Sequence, residues 1–285
     1  MCSADRRAAC GAWPVGVRVP SPQETAAYFR ELLEFETVEG GRETWHLLCA
    51  GEYGATAPSA AITLRPGDAL EVSELTFEVG SPHELEDLHA YLAQAGQVVE
   101  PVGADNEAGP GIAVRDPSGV VVQCRLPGAD LQTRLRPSAL RPRRLGHVNL
   151  KMSEPGASAR FFIDTLGLRL SDQVGDLLFF LRVSSEHHNL GLRGGAERVN
   201  VHHIGMEIHG WESFRSICDH IAACGRVVEY GPGRHGPGNN LFVYVVEPRS
   251  GLRLELYADM VHIHDELAYQ PTRWETPSRY GRPAS

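Results

Sequence analysis

The sequence predicts an α+β protein built of four similar units, each a strand, a helix and two or three further strands, arranged in two domains. Three observations carry this. Segments of the first half recur in the second, alternating strand-like runs follow amphipathic helices, and an Arg- and Pro-rich stretch separates the halves.

The first unit opens on the strand-like run Pro14-Val15-Gly16-Val17-Arg18-Val19. A helix over 24–35 follows, with Tyr28, Phe29, Leu32 and Leu33 at the three- and four-residue spacing of a helix lying on a sheet. Ala61-Ile62-Thr63-Leu64 reads as a later strand of this unit. The second unit starts at Leu75-Thr76-Phe77-Glu78-Val79. After a helix, Ala95-Gly96-Gln97-Val98-Val99-Glu100 reads as a strand entry, and the turn Asp116-Pro117-Ser118-Gly119 leads into Val120-Val121-Val122-Gln123. The third unit lays His147-Val148-Asn149-Leu150-Lys151-Met152 over the opening of the first. Its helix spans 158–168, with Phe161, Phe162, Ile163 and Leu166 on one face, and Leu177-Leu178-Phe179-Phe180-Leu181 follows as a strand. The fourth repeats the second: Ile204-Gly205-Met206-Glu207-Ile208, then Cys224-Gly225-Arg226-Val227-Val228-Glu229, then Arg249-Ser250-Gly251-Leu252-Arg253-Leu254-Glu255. The join falls within 134–144, whose five arginines read as a solvated linker, giving domains 1–136 and 137–285.

Composition narrows the function. The 285 residues suffice for two cores, and 42% hydrophobic with 22% charged content is that of a globular protein. A formal charge of −9 argues against nucleic acid or an anionic membrane as the main partner. The N-terminus lacks the apolar core of a signal peptide, and no apolar run approaches membrane-spanning length, so a cytoplasmic protein is expected. The six cysteines are scattered, with no CxxC pair, which is usage for a reducing compartment.

Thirteen histidines are too many for all to be functional. His46, His83, His89, His209 and His220 read as ordinary surface or partly buried residues, and His262 and His264 as lining a loop. His147 and His203 differ, because they sit at the openings of the first strands of units three and four, and Glu255 lies in the last strand of unit four. Two imidazoles and a carboxylate from separate strands can cap one face of an octahedral ion and leave three positions open. The corresponding N-terminal residues are Pro14, Glu74 and Gln123, a set in which proline cannot ligate and glutamine is a poor substitute for a carboxylate. Only the C-terminal half keeps a metal-binding set, an asymmetry that packing does not explain.

The motifs Leu145-Gly146-His147-Val148, Glu186-His187-His188-Asn189-Leu190, Val201-His202-His203-Ile204, Gly233-Arg234-His235-Gly236, Phe242-Val243-Tyr244 and Gly251-Leu252-Arg253-Leu254-Glu255-Leu256-Tyr257 occur in this order. Together they resemble the type I extradiol dioxygenases of the vicinal oxygen chelate superfamily. The C-terminal half is similar to catechol 2,3-dioxygenases in particular, including a late Trp274-Glu275-Thr276. The resemblance implies four βαβββ modules forming two vicinal-oxygen-chelate (glyoxalase-like) domains. It implies Fe(II), with Mn(II) as the other candidate, held by His147, His203 and Glu255. His188 falls on the family's acid–base histidine, and His235 and Tyr244 on groups that hydrogen-bond the substrate oxygens. His202, one strand position from His203, is expected to point away. The implied partners are a catecholic substrate, single-ring rather than biaryl, and O₂, with a homo-oligomer as the expected assembly. The chain departs from relatives at Pro248-Arg249-Ser250-Gly251 and at Gly238, where some carry an acidic residue. Two other readings stand beside this one. A glyoxalase-like isomerase or lyase would want a fourth ligand from unit three, and a non-catalytic binding protein on the same fold would need no ligands.

Overall fold

The computed structural model describes residues 14–49, 60–105, 108–128, 135 and 138–275. The domain join at 136/137 and Thr276 lie outside them.

The first half forms β1 (Val15–Val19), α1 (Pro22–Leu33), β2 (Glu36–Glu39), β3 (Trp45–Leu48) and β4 (Ala60–Pro66). It continues with β5 (Glu71–Glu78), α2 (Pro82–Gln94), β6 (Glu100–Val102), β7 (Gly111–Arg115) and β8 (Val121–Arg125). The second half forms β9 (Arg144–Lys151), α3 (Pro155–Arg160), β10 (Arg169–Val174), β11 (Leu178–Arg182) and β12 (Leu190–Arg193). Then come β13 (Asn200–Glu207), α4 (Trp211–Ala223), β14 (Tyr230–Arg234), β15 (Leu241–Val246), β16 (Arg253–Ala258) and β17 (Thr272–Trp274). Four βαβββ modules result, two per sheet. Among the described residues no helix is long and apolar enough to cross a membrane.

The sheets share one topology. The N-terminal order is β2-β3-β4-β1-β5-β8-β7-β6, and the C-terminal order is β14-β15-β16-β13-β9-β12-β11-β10-β17. In each, the opening strands of two modules pair antiparallel at the centre, β1 with β5 and β9 with β13. The register also preserves the repeat. Glu255 pairs with Gly205 as Gln123 pairs with Thr76, and the Thr76 N–H bonds to the Pro14 carbonyl where His147 lies opposite Gly205. Glu74, at the position of His203, bonds Arg65 at 2.9 Å, so the N-terminal cup closes on an ion pair.

Helices cover one face of each sheet. Phe29, Leu32 and Leu33 of α1 and Phe214, Ile217 and Ile221 of α4 are buried in one continuous core. α1 packs against α4, and Tyr28 donates to the Val246 carbonyl at 3.0 Å, which docks the halves together. Alternation along β9 sends Val148 and Leu150 into that core and leaves His147 and Asn149 on the opposite face.

Three details differ from the sequence reading. The strand entries after α2 and α4 are irregular chain, and β6 and β14 begin only at Glu100 and Tyr230. Val98 and Val227, read as strand residues, are 80% and 84% exposed, so apolar character there reflects no burial. The third helix starts at Pro155 and finishes as a π-turn over Phe161–Thr165. His147 and His203 sit inside β9 and β13, not at their first residues.

Candidate active site

Adjacent central strands bring His147 from β9, His203 from β13 and Glu255 from β16 together, with ligand atoms within 4.8 Å of one another. All three are buried, at 2%, 5% and 1% exposure. Gly205 makes this approach possible. The His147 ring lies over it, and a side chain there would meet the ring's Cε1 at 2.1 Å. His203 falls at a register shift between β13 and β9, which turns its ring toward the same point.

The donor spacing tests whether a metal fits. His147 Nε2 is 3.1 Å from both His203 Nε2 and Glu255 Oε2, and His203 Nε2 is 3.0 Å from Glu255 Oε2. Neighbouring donors on an octahedral ion with bonds of about 2.1 Å are separated by about 3.0 Å, and on a tetrahedral ion by about 3.4 Å. The three edges fit one octahedral face. Among the described residues no fourth His, Cys, Asp or Glu joins the group. Unit three supplies no carboxylate to it, as the glyoxalase-like reading would require.

The protonation states suit ligation. Burial lowers His203 to about 4, against the pull of Glu255, so the ring is neutral at physiological pH. Burial alone would raise the Glu255 carboxyl, but His147, His235 and His203 around it outweigh this and hold it well below the carboxylate range. Burial, then His203 and Arg193, push His202 down to about 2. The His202 ring does not simply point away. Its Nδ1 lies 2.7 Å from His203 Nδ1, and its Nε2 lies 3.0 Å from Arg193, so it backs the candidate ligand.

These neutral histidines set a direction for acid stability. The unfolded chain protonates them near the ordinary value of about 6.5, whereas the fold keeps His188, His202 and His203 neutral to lower pH. Below about 6.5 the unfolded state therefore binds more protons, and stability falls as pH drops toward about 4. Calorimetry of metal-free protein should show Tm decreasing from pH 7 to pH 5, and a rising Tm would contradict these environments.

The remaining expected residues surround the triad. The His188 ring centroid is 4.6 Å from that of His147, and its Nδ1 is 3.0 Å from His187 Nδ1, leaving Nε2 as the nitrogen open to a substrate. Burial first, then His147 and His187, lower its pKa well below the ordinary value. Tyr244 donates its hydroxyl to Glu255 Oε2 at 3.0 Å, with His235 Nε2 at 3.2 Å from that hydroxyl. Burial and the neighbouring Glu255 raise the phenol well above 10, so it keeps its proton. The His235 ring stacks on Phe242 at 3.9 Å.

Asn240 escaped the sequence reading. Fully buried, it donates Nδ2 to Glu255 Oε1 at 2.8 Å and so leaves Oε2 to face the two histidines. Its only sequence signal is an Asn in a Gly-rich loop, shared with its half-buried neighbour Asn239. Asn240→Ala frees the carboxylate to rotate, and metal affinity is expected to fall about 10- to 100-fold in a chelator titration. Asn189 is a second such residue. It caps the 183–184 turn through Oδ1 and ties it to the Gly146 carbonyl, fixing the segment that carries His187 and His188.

Comparison with known proteins agrees with this geometry. Residues 144–256 match the family model described as Glyoxalase/Bleomycin resistance protein/Dioxygenase superfamily. A manganese-dependent 2,3-dihydroxybiphenyl 1,2-dioxygenase of Geobacillus genomosp. 3 is 25% identical, over 92% of this chain and 88% of that protein. A metapyrocatechase of Geobacillus stearothermophilus is 31% identical, over 47% of this chain and 42% of its own length. In structure, a 2,3-dioxygenase from Pseudomonas sp. KL28 superposes with a TM-score of 0.82 at 20% identity, over 94% of this chain and 98% of its own. The superfamily match thus falls on the segment that carries His147, His203 and Glu255, and the full-length similarity is to extradiol dioxygenases.

Proposed function

We propose that this protein is an extradiol ring-cleaving dioxygenase. It would insert both atoms of O₂ into a catecholic substrate beside the diol and release a ring-opened semialdehyde or keto acid. The observation that carries the reading is a buried His147–His203–Glu255 face with octahedral donor edges, beside which His188 presents a neutral imidazole. Fe(II) is the proposed ion and Mn(II) the alternative, since two imidazoles and a carboxylate accept both.

A divalent ion held there would acidify a bound catechol and bring it beside O₂. The protein's own groups do the rest. His188, neutral and with Nδ1 engaged, takes a hydroxyl proton at Nε2 and returns it as the ring opens. Tyr244 keeps its proton at neutral pH and holds it on Glu255 Oε2; turned toward a bound diol, that hydroxyl, with His235 beside it, would offer hydrogen bonds that fix the diol's orientation. Phe180, its ring 4.8 Å from His188, forms an apolar wall that keeps water from the imidazole.

The test is reconstitution with Fe(II) or Mn(II) separately, followed by oxygen-electrode assays on catechol, 3-methylcatechol and 2,3-dihydroxybiphenyl. One O₂ consumed per diol, with a yellow product, is the expected result, and single-ring catechols should be favoured. Tight metal binding with no O₂ uptake on any diol would refute it.

A further inference from the structure

We propose that Asp172 and His187 are positioning residues that hold His188 in the tautomer with hydrogen on Nδ1 and a bare Nε2, and that the C-terminal strand β17 anchors Asp172 for this role. The inference deepens the dioxygenase reading and rests on it for the catalytic meaning of His188.

The hydrogen bonds form a directed chain. Asp172 Oδ2 receives the Trp274 indole N–H at 2.8 Å and lies 3.1 Å from His187 Nε2. Asp172 Oδ1 receives the Thr272 N–H at 2.7 Å and the Tyr269 hydroxyl at 3.3 Å. Burial alone would raise this carboxyl, but His187 and the Thr272 and Trp274 N–H groups bring it below its ordinary value, so it is a carboxylate and can only accept. With one hydrogen on its ring, His187 must therefore donate it from Nε2, which leaves Nδ1 as an acceptor. The 3.0 Å contact between His187 Nδ1 and His188 Nδ1 then closes only if His188 donates. That places the hydrogen of His188 on Nδ1 and leaves Nε2 with a lone pair, as a group receiving a substrate proton requires.

The surroundings allow little freedom. Asp172, His187 and His188 are 4%, 2% and 4% exposed, and the His187 N–H bonds the Val261 carbonyl at 2.8 Å. β17 is the strand by which the nine-stranded C-terminal sheet exceeds its eight-stranded counterpart. It pairs parallel with β10, Asp172 opposite Thr272, and buries Trp274 to 2% exposure. The sheet lacking β17 is also the one without an acid–base histidine.

The experiment compares wild type, His187→Phe and His187→Gln. Phenylalanine fills the space but breaks the chain, and Asp172 keeps its three bonds to the tail. Glutamine restores its polarity, because an amide N–H can donate to Asp172 while the amide oxygen accepts from His188. Nitrogen-15 NMR of histidine rings in metal-free protein at pH 8, with His188 assigned by its loss in His188→Ala, should show Nδ1–H and bare Nε2 in the wild type. In His187→Phe that signature should be lost, and kcat on catechol should fall about 10- to 100-fold with KM and metal content unchanged. His187→Gln should recover most of both. His188 found with hydrogen on Nε2 in the wild type, as a doubly protonated His187 would impose, overturns the proposal. Full kcat in a folded His187→Phe does so equally. Should wild type cleave no diol, the dioxygenase reading fails, while the NMR still decides the tautomer.

Discussion

His147→Ala is expected to abolish diol cleavage and remove tight metal binding, while the protein stays folded. Structural four-ligand sites bind divalent metal with about 10–16 kcal/mol, roughly 2.5–4 per ligand, so losing one of three should weaken binding about 10²- to 10³-fold. His203 and Glu255 alone cannot cap an octahedral face, and a third site would fill with water. The fold should survive, because the His147 ring covers Gly205 and not the helix-backed core formed by Val148 and Leu150. Metal content after gel filtration and a thermal melt check both halves of this statement. A variant that kept stoichiometric metal would show that the three donors are not the site.

His188→Ala is expected to keep the metal and lose the chemistry. The His188 ring is not among the converging donors, and its Nδ1 is already engaged by His187. Removing a positioned acid–base group costs typically about 10²- to 10⁴-fold in rate, so kcat should fall within that range at unchanged metal content. Alanine also leaves His187 Nδ1 without its partner and opens a gap against Phe180, so some loss of thermal stability should accompany it. Equal loss of metal and activity would instead make His188 a ligand.

The convergence of His147, His203 and Glu255 was legible in the sequence because the chain carries its own comparison. His147, His203 and Glu255 recur against Pro14, Glu74 and Gln123, and the strand registers preserve that correspondence. Period-2 and period-3.6 patterns likewise placed β1, β9 and α1 to within a few residues. What failed was of two kinds. Val98 and Val227 are apolar yet exposed, since a valine after a glycine turn looks the same in a strand or on the surface. Asp172, Trp274 and Asn240 act through contacts that no local period encodes. The Asp172–Trp274 bond spans 102 positions, and Asn240 reaches Glu255 from an irregular loop. His187 was visible only as the neighbour of His188, and its role emerges from which nitrogen faces Asp172.

The central claim meets its most direct test in the product itself. Protein reconstituted anaerobically with one equivalent of Fe(II) is given catechol, exposed to O₂, and the product mass is measured within one turnover. Extradiol cleavage predicts a product heavier than catechol by one O₂, absorbing in the visible as a ring-opened semialdehyde, and absent with His147→Ala. Catechol recovered unchanged, or a colourless dicarboxylic acid from cleavage between the hydroxyls, would contradict the account.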